Sequence, residues 1–379
     1  MWKGTKTMKN RCYLDVHVLQ TVPPSCVNRD DTGSPKTAIY GGTTRARVSS
    51  QAWKHAMREM FREELIEPDM LGMRTKNVIS MVAEEILKLD PDAKAAELAE
   101  KVLTSAGVTF KKDKKTETKD KKGETKDKKA EALFFMSAAQ AKALAEIAVS
   151  EGTADKDACK KALKNNPSVD IALFGRMVAS EATLNCDASA QVAHSISTHT
   201  VQNEYDYFTA VDDLAPEDNT GAGHLGTVEF NSSTLYRYAT VNLVELSNAL
   251  GKQVTAETAA KFVEAFVRSM PTGKQNTFAN RTLPSMVYVT IRRDQPVNLC
   301  GAFEKPVSAK NGGYSEESEE KFVEYANKVY GKYASAPDRA FAVGEAVGNL
   351  EECKCMSLDR LLESVAECVK EYLGESEGM

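Results

Sequence analysis

Residues 28 to 58, NRDDTGSPKTAIYGGTTRARVSSQAWKHAMR, gather the side chains best placed to do chemistry. Arg29, Lys36, Arg45, Arg47, Lys54 and Arg58 stand against Asp30 and Asp31, so the window carries a net charge of +4 in a chain whose net charge is −5. Any one Lys or Arg is most often simply solvated. The helix that follows makes an anion site the better reading. Ser49 or Ser50 can cap its N-terminus, and Gln51, Lys54 and Arg58 then fall at i, i+3 and i+7 on one face. Free N-terminal amides and cations on one side of a helix start bind phosphate-like anions. A second chemistry competes for the same window. Asp30 and Asp31, neighbouring carboxylates on a loop beside cations, could hold Mg²⁺ for phosphodiester cleavage, which would make the chain a metal-dependent ribonuclease. Otherwise they bond nearby arginines and loop amides, as Asp does in turns.

The elements around the window must hold it in place. Before it, Tyr13 to Val22 alternates Leu14, Val16 and Val18 with Asp15, His17 and Gln20, the pattern of a half-buried strand. Gly33-Ser34-Pro35 and Gly41-Gly42 mark turns on either side of a short β-leaning segment, Thr37 to Tyr40. Trp53, Met57, Met60 and Phe61 give the helix an apolar stripe for a core. From about Glu63 to Asn166 the apolar spacing turns helical, interrupted by a stretch at 111 to 129 with ten Lys against five acids that reads as an exposed loop. Beyond it, PSVDIALFGRM breaks at Gly175, and residues 189 to 199 read as a helix.

Residues 202 to 225 combine Tyr205, Tyr207 and Phe208 with acids, Pro216 and several glycines, and so read as a loop or hairpin projecting from the body. Its rings could stack on bases or pack on their own hairpin. A β pattern returns from Val228, followed by a helix over Ala256 to Met270, the PTGKQNT loop with Lys274, the strand SMVYVTIR, and helices near 316–334 and 357–373. Strand, helix, strand, helix, strand across an insertion predicts an α+β fold, an open sheet backed by helices of the ferredoxin-like kind used by RNA-recognition folds. The aromatic signature of the common RNA-recognition module is absent.

Other chemistries lack their motifs. The chain has no Walker A sequence, no GxGxxG after a strand, no HExxH and no GxSxG. His17, His194, His199 and His224 are scattered and read as structural residues. Eight cysteines without a CxxC pair read as reduced thiols, and no apolar run approaches a membrane span, so the expected location is the cytoplasm without a membrane partner.

The stretch HVLQTVPPSCVNRDDTGSPKTAIYGGTTRARVSSQAWKHAMR resembles the N-terminal signature of the RNA-binding backbone subunit of the type I-E CRISPR Cascade complex. DIALFGRM at 170 to 177, AHSISTHTVQNEYDYFTAVDD at 193 to 213, HLGTVEFNSSTLYRYATVNL at 224 to 243 and CGAFEKPV at 300 to 307 resemble the same family in the same order. The resemblance runs from about residue 12 to 310, and the Lys-rich insert departs from it.

It implies a hand-shaped, non-catalytic subunit. An RRM-like palm would comprise 1–61, 183–201 and 226–379, helical fingers 62–182, and a thumb 202–225. Copies, six in this family, would stack along the spacer of one CRISPR RNA beside other Cascade subunits and leave the bases to pair with target DNA. By position, Arg29, Lys36, Ser49, Gln51, Lys54 and Arg58 would contact phosphate and sugar, and Lys274 would join them. Met177 would wedge beside a kinked base, and Phe208 and Thr209 would reach a neighbouring copy's RNA segment. The resemblance implies no cofactor. Type III relatives in the wider group cleave RNA with a loop aspartate, which keeps Asp30 and Asp31 in view.

Overall fold

The computed structural model describes residues 11–111, 128–150, 155–210, 213, 224–309, 312–350 and 353–375. From the N-terminus, β1 (Tyr13–Ser25), β2 (Thr37–Tyr40), β3 (Thr43–Val48) and α1 (Ser50–Met60) are followed by β4 (Gly72–Thr75), α2 (Val78–Leu89) and α3 (Ala95–Ser105). Next come β5 (Phe134–Ser137), α4 (Ala138–Ser150), α5 (Lys156–Lys164), α6 (Val169–Phe174), β6 (Ala190–Val192), β7 (Ser195–Ser197), β8 (Glu204–Ala210) and β9 (His224–Asn242). The chain then forms α7 (Leu243–Leu250), α8 (Lys252–Arg268), α9 (Gln275–Phe278), β10 (Met286–Arg292), α10 (Ser315–Lys332), β11 (Arg339–Val343), β12 (Cys353–Cys355) and α11 (Leu358–Glu375). It divides into two compact units: Met1–Phe61 with Gln191–Val244 and Ala259–Met379, and Arg62–Ala190 with Glu245–Thr258.

The first unit is built on one mixed sheet in the order β12-β11-β10-β1-β9-β7-β3-β2, with β6 and β8 also pairing to β9. β1 lies antiparallel between β9 and β10, and β11 and β12 run parallel. The sheet is covered on both faces. On one, Arg237 of β9 meets Trp53 of α1 and Phe266 of α8. On the other, Leu19, Tyr236, Tyr238 and Tyr288 pack with Phe303 and with Phe322 of α10. β1 is therefore buried along most of its length rather than half-buried, and its polar residues Asp15, His17 and Gln20 are inside. Each finds partners. Asp15 accepts from Tyr238 Oη at 3.0 Å and Val297 N at 2.8 Å, His17 Nδ1 lies 2.8 Å from Tyr236 Oη, and Gln20 Nε2 donates to Thr282 O at 2.7 Å.

The helix expected at 189–199 is two short strands, β6 and β7. Ile196 faces Arg47 of β3 and Tyr236 of β9, so β7 is the rung that joins β3 to the central sheet. Ser195 Oγ takes the Trp53 indole N–H at 2.9 Å, and Ser197 Oγ takes Ala46 N at 3.0 Å. Pairing partners on both sides outweigh the local helix preference. The helix predicted over Ala256 to Met270 runs instead as α8, and its stripe Ala259, Phe262, Val263, Phe266, Val267 and Met270 is buried as the spacing predicts. Strands β11 and β12 have no counterpart in the sequence reading.

In the second unit, α2 to α5 surround a core that includes Val82, Ile86, Leu103, Leu144 and Leu163. The segment beginning EALFFMS, read as wholly helical, opens with β5, which pairs antiparallel with β4 to make a two-stranded sheet. This unit runs to Ala190, beyond the 182 drawn from the sequence, and takes in Glu245–Thr258. Most of the Lys-rich stretch 111 to 129 lies outside the described residues.

Candidate nucleic-acid interface

The basic window is organised by Asn28. Its side-chain Oδ1 accepts from Ser49 N at 2.9 Å, and its backbone carbonyl accepts from Lys36 N at 2.8 Å. One residue thus ties the loop that starts at 28 to the strand entry at 36 and to the first residue of the helix start. The loop between is closed by Asp30, whose Oδ1 accepts from Thr32 Oγ1 at 2.7 Å and from Thr32 N and Ser34 N at 3.0 Å each. These bonds, the Thr32 hydroxyl foremost, hold the Asp30 carboxyl below its ordinary pKa. Asp30 is thereby the loop-bonded carboxylate of a turn. Among the described residues no three His, Cys, Asp or Glu side chains lie where they could hold a metal ion together.

Ser49 is the cap of α1: its backbone is extended, and its Oγ accepts from Ala52 N at 3.2 Å. Its hydroxyl is nearly buried, so its first role is to set the helix start, and its O–H is left to donate. Trp53, Met57 and Met60 go into the core, which turns Gln51, Lys54 and Arg58 outward, Gln51 fully and the two cations half-exposed. Partial burial draws the Lys54 ammonium below its usual pKa. Arg29 is exposed on the loop and Lys36 is half-buried at its end.

The six cations of the window do not act as one set. Arg45 is fully buried and spends its guanidinium on the carbonyls of Ser197 (2.9 Å), Phe303 (3.0 Å) and Glu304 (3.2 Å) and on Thr43 Oγ1 (2.9 Å). It is a structural residue. Arg47 is partly committed as well, donating to Thr37 O at 3.1 Å and lying 3.2 Å from His194 Nδ1.

Lys274 is the further cation expected at this surface. It sits in a left-handed conformation at the head of α9, directly after Gly273. A Cβ on Gly273 would lie 2.1 Å from Val27 O, so only glycine lets this loop lie against the end of β1 where the basic loop begins. Arg29 and Lys274 both bear on Cys26, where burial raises the thiol pKa and these two cations oppose the rise. The PTGKQ loop therefore lies against the start of the window.

The projecting segment is a two-stranded ribbon, β8 paired antiparallel with the first half of β9, and every residue of β8 is exposed. It springs from the place where β9 leaves β1, at the Ser25–Asn231 pair, with Asn231 Nδ2 donating to Asn203 Oδ1 at 3.0 Å. Its root therefore adjoins the basic loop. Phe208 faces Gly226 across the ribbon, and a Cβ at Gly226 would fall 2.3 Å from its ring, so that ring lies over the glycine. Thr209 is exposed opposite Leu225, and Tyr205 and Tyr207, alternate along the strand, are both about two-thirds exposed.

Met177 belongs to the second unit and is 87% exposed. It is held out by its neighbours. Gly175 turns the chain at φ +77°, and buried Arg176 donates to Leu184 O, Phe135 O and Leu163 O and to Gln140 Oε1. The sequence reading missed Asn28 and Arg176, and it missed Arg237. This last guanidinium lies 3.7 Å from the Trp53 ring centroid, donates to Gln20 Oε1 at 2.6 Å and to Phe266 O, and burial pushes its pKa down to about 9. An Arg in the buried phase of TLYRYATVNL was the available signal. His199 is structural, bonded to Thr200 O and Thr234 N and stacked on Tyr314 at 3.7 Å.

Fold and surface together define a mixed-sheet α+β protein that offers cations and a capped helix start at the foot of an exposed ribbon. The chain belongs to the CT1975-like protein family, whose profile matches residues 14–371. Among solved structures it is similar to a chain of a "CRISPR RNA-guided surveillance complex, pre-nicking", at 31% identity and a TM-score of 0.77, covering 94% of this chain and 100% of that one. It is also similar to a chain of a "CRISPR RNA-guided surveillance complex", at 26% identity and a TM-score of 0.58, covering 93% and 99%. No curated protein matches it. Among the described residues no helix is long and apolar enough to cross a membrane.

Proposed function

We propose that this chain is the RNA-binding backbone subunit of a type I-E Cascade complex in the cytoplasm. It is a non-catalytic protein whose copies line up, six to an assembly, along the spacer of one CRISPR RNA beside other Cascade subunits. The observation that supports the reading is that the basic loop, the start of α1 and the PTGKQ loop meet beside the end of β1, where the exposed ribbon springs from β9. Contacts of this kind go to phosphate and sugar and read no sequence, which suits a subunit that must accept any guide. The bases are left to pair with target DNA, and recognition is delegated to that pairing.

The finer anatomy follows the same reading. The strand run β10-β1-β9-β7, with α1 after β1 and α8 between β9 and β10, supports an RRM-like palm of β-α-β-β-α-β path. The second unit serves as fingers, with Met177 wedged beside a kinked base. The ribbon is the thumb, and Phe208 and Thr209 reach the RNA held by the next copy. The bonding of Asp30 to its own loop supports a binding role over a ribonuclease. Incubation with a CRISPR-type RNA with and without Mg²⁺ tests both. Binding that leaves the RNA intact in either buffer is expected, and Mg²⁺-dependent shortening of the RNA, lost in Asp30→Ala, would replace this function with the nuclease.

A further inference from the structure

At the end of the sheet order away from β2 and β3 lies β12, the three residues Cys353-Lys354-Cys355. It pairs parallel to β11, with Cys353 opposite Ala340 and Cys355 opposite Ala342. Residues i and i+2 of a strand share a face, so both thiols stand on one side of β12 and Lys354 on the other. Cys353 is half-buried and packs against the core that holds Val347 and Leu350. Cys355 is the one exposed cysteine of the eight, its Sγ lying 3.5 Å from Gly344 O. The two thiols are in contact. Burial pushes the Cys353 thiol up to about 12, and the Cys355 thiol beside it, by charge and by a hydrogen bond, adds to the rise.

Two thiols in contact, one of them open to solvent, are the parts of a dithiol that a peroxide converts to a disulfide. The exposed thiol meets the oxidant first. Cys355 gives up its proton, its thiolate attacks one oxygen of hydrogen peroxide, and the products are a sulfenic acid and hydroxide, which takes the proton to become water. Cys353 then attacks the Cys355 sulfur, the S–S bond forms, and the sulfenic oxygen leaves as a second water. Both sulfurs are oxidised and both peroxide oxygens reduced, so one peroxide accounts for one disulfide. Contact, rather than acidity, makes Cys353 the second partner. An external dithiol returns both thiols by exchange.

We propose that Cys353 and Cys355 form a reversible dithiol–disulfide site for peroxide, and that closing the bond releases β12 from the edge of the sheet. Extended backbone sets the Cα atoms of residues i and i+2 about 6.6 Å apart. That is close to the longest span of a disulfide, about 6.8 Å, and beyond its commonest span of about 5.5 to 6 Å. Closing the bond therefore draws Lys354 out of the extended conformation, and the register of β12 with Ala340, Phe341 and Ala342 is lost. A ladder of three residues, ended by the bond from Met356 N to Ala342 O at 2.9 Å, is short enough to give way. The outer edge of β11 is then left unpaired.

Peptide mapping of the full-length protein, reduced and then treated with equimolar hydrogen peroxide, tests the proposal. Trypsin cuts after Arg339, Lys354 and Arg360, so the reduced chain yields 340–354 and 355–360 as separate peptides. The disulfide keeps the two joined, with the loss of two hydrogens. The joined pair should appear with peroxide and disappear with dithiothreitol, and while it is present the amides of 353–356 should lose their protection against hydrogen exchange. Cys355→Ser should abolish the joined pair, and Cys353→Ser should leave Cys355 as a sulfenic acid that a dimedone probe labels. A thermal melt of each variant checks its fold. Free peptides after peroxide, or a disulfide from either cysteine to another position, would overturn the site. A joined pair with protection unchanged would overturn the release of β12.

Discussion

Replacing Lys54 and Arg58 together with alanine probes the outward face of α1, and salt dependence reads it more specifically than affinity alone. If Arg29, Lys36, Lys54, Arg58 and Lys274 each neutralise one phosphate of a single strand, the slope of log Kobs against log[salt] is about −3.5 per subunit, and the double variant brings it to about −2. A fourfold rise in salt should then weaken wild-type binding about 130-fold and the variant's about 20-fold. Both side chains are half-exposed and lie opposite the buried Trp53, Met57 and Met60, so the helix should persist, and a thermal melt run in parallel checks this. The assay is anisotropy titration of a short RNA across a series of salt concentrations. A variant that binds more weakly yet keeps the wild-type slope would refute the reasoning, because its lost contacts would not be phosphate contacts.

Three further outcomes follow from side chains inside the fold. Asp15 is pushed up to about 6 by burial, so its contribution favours the fold at low pH and is lost as pH rises through about 6. His17 is held down to about 3 by burial, so its contribution is present above its unfolded pKa of 6.5 and lost as pH falls. Between pH 6.5 and 4 the two oppose each other: the wild type should lose only about 1 kcal/mol from this pair, and Asp15→Asn about 3 kcal/mol, measured by urea unfolding at several pH values. Arg45→Met strips donors from two buried carbonyls, Ser197 O and Phe303 O, and from the part-buried Glu304 O, and should cost about 2 kcal/mol or more, seen as a lowered Tm; an unchanged Tm would return Arg45 to the surface set. Gly273→Ala drives a Cβ into Val27 O and should weaken RNA binding about as much as Lys274→Ala does, by anisotropy, and full affinity would detach the PTGKQ loop from the interface.

The parts of this protein that were legible in the sequence are those governed by local pattern. The spacing of Trp53, Met57 and Met60 gave α1 its inward face, and Ser49 or Ser50 gave its start, though only the bond from Ala52 N chooses Ser49. The apolar stripe of α8 and the strand β10 were equally plain. What local pattern could not carry was position in the sheet. Asp15, His17 and Gln20 read as solvent-facing because alternation cannot distinguish a central strand covered on both faces from one covered on a single face. Ser195 to Ser197 read as helix because its partners, β3 and β9, are distant in sequence. The site divides the same way. Charge count picked out Arg29, Lys36, Lys54 and Arg58 as candidates, and it also took in Arg45, which is buried against carbonyls some 150 to 260 residues away. Gly273 next to Lys274 was visible, and its close approach to Val27 was not.

The central claim is that the protein binds guide RNA by assembling along it without cutting it. Size-exclusion with light scattering, on the protein alone and with a CRISPR-type RNA, with and without Mg²⁺ and with the recovered RNA run on a gel, measures all three parts at once. A discrete multimer that forms only with RNA and carries it at full length is the predicted result. A monomer that leaves shortened RNA when Mg²⁺ is present, or a multimer indifferent to RNA, would contradict it.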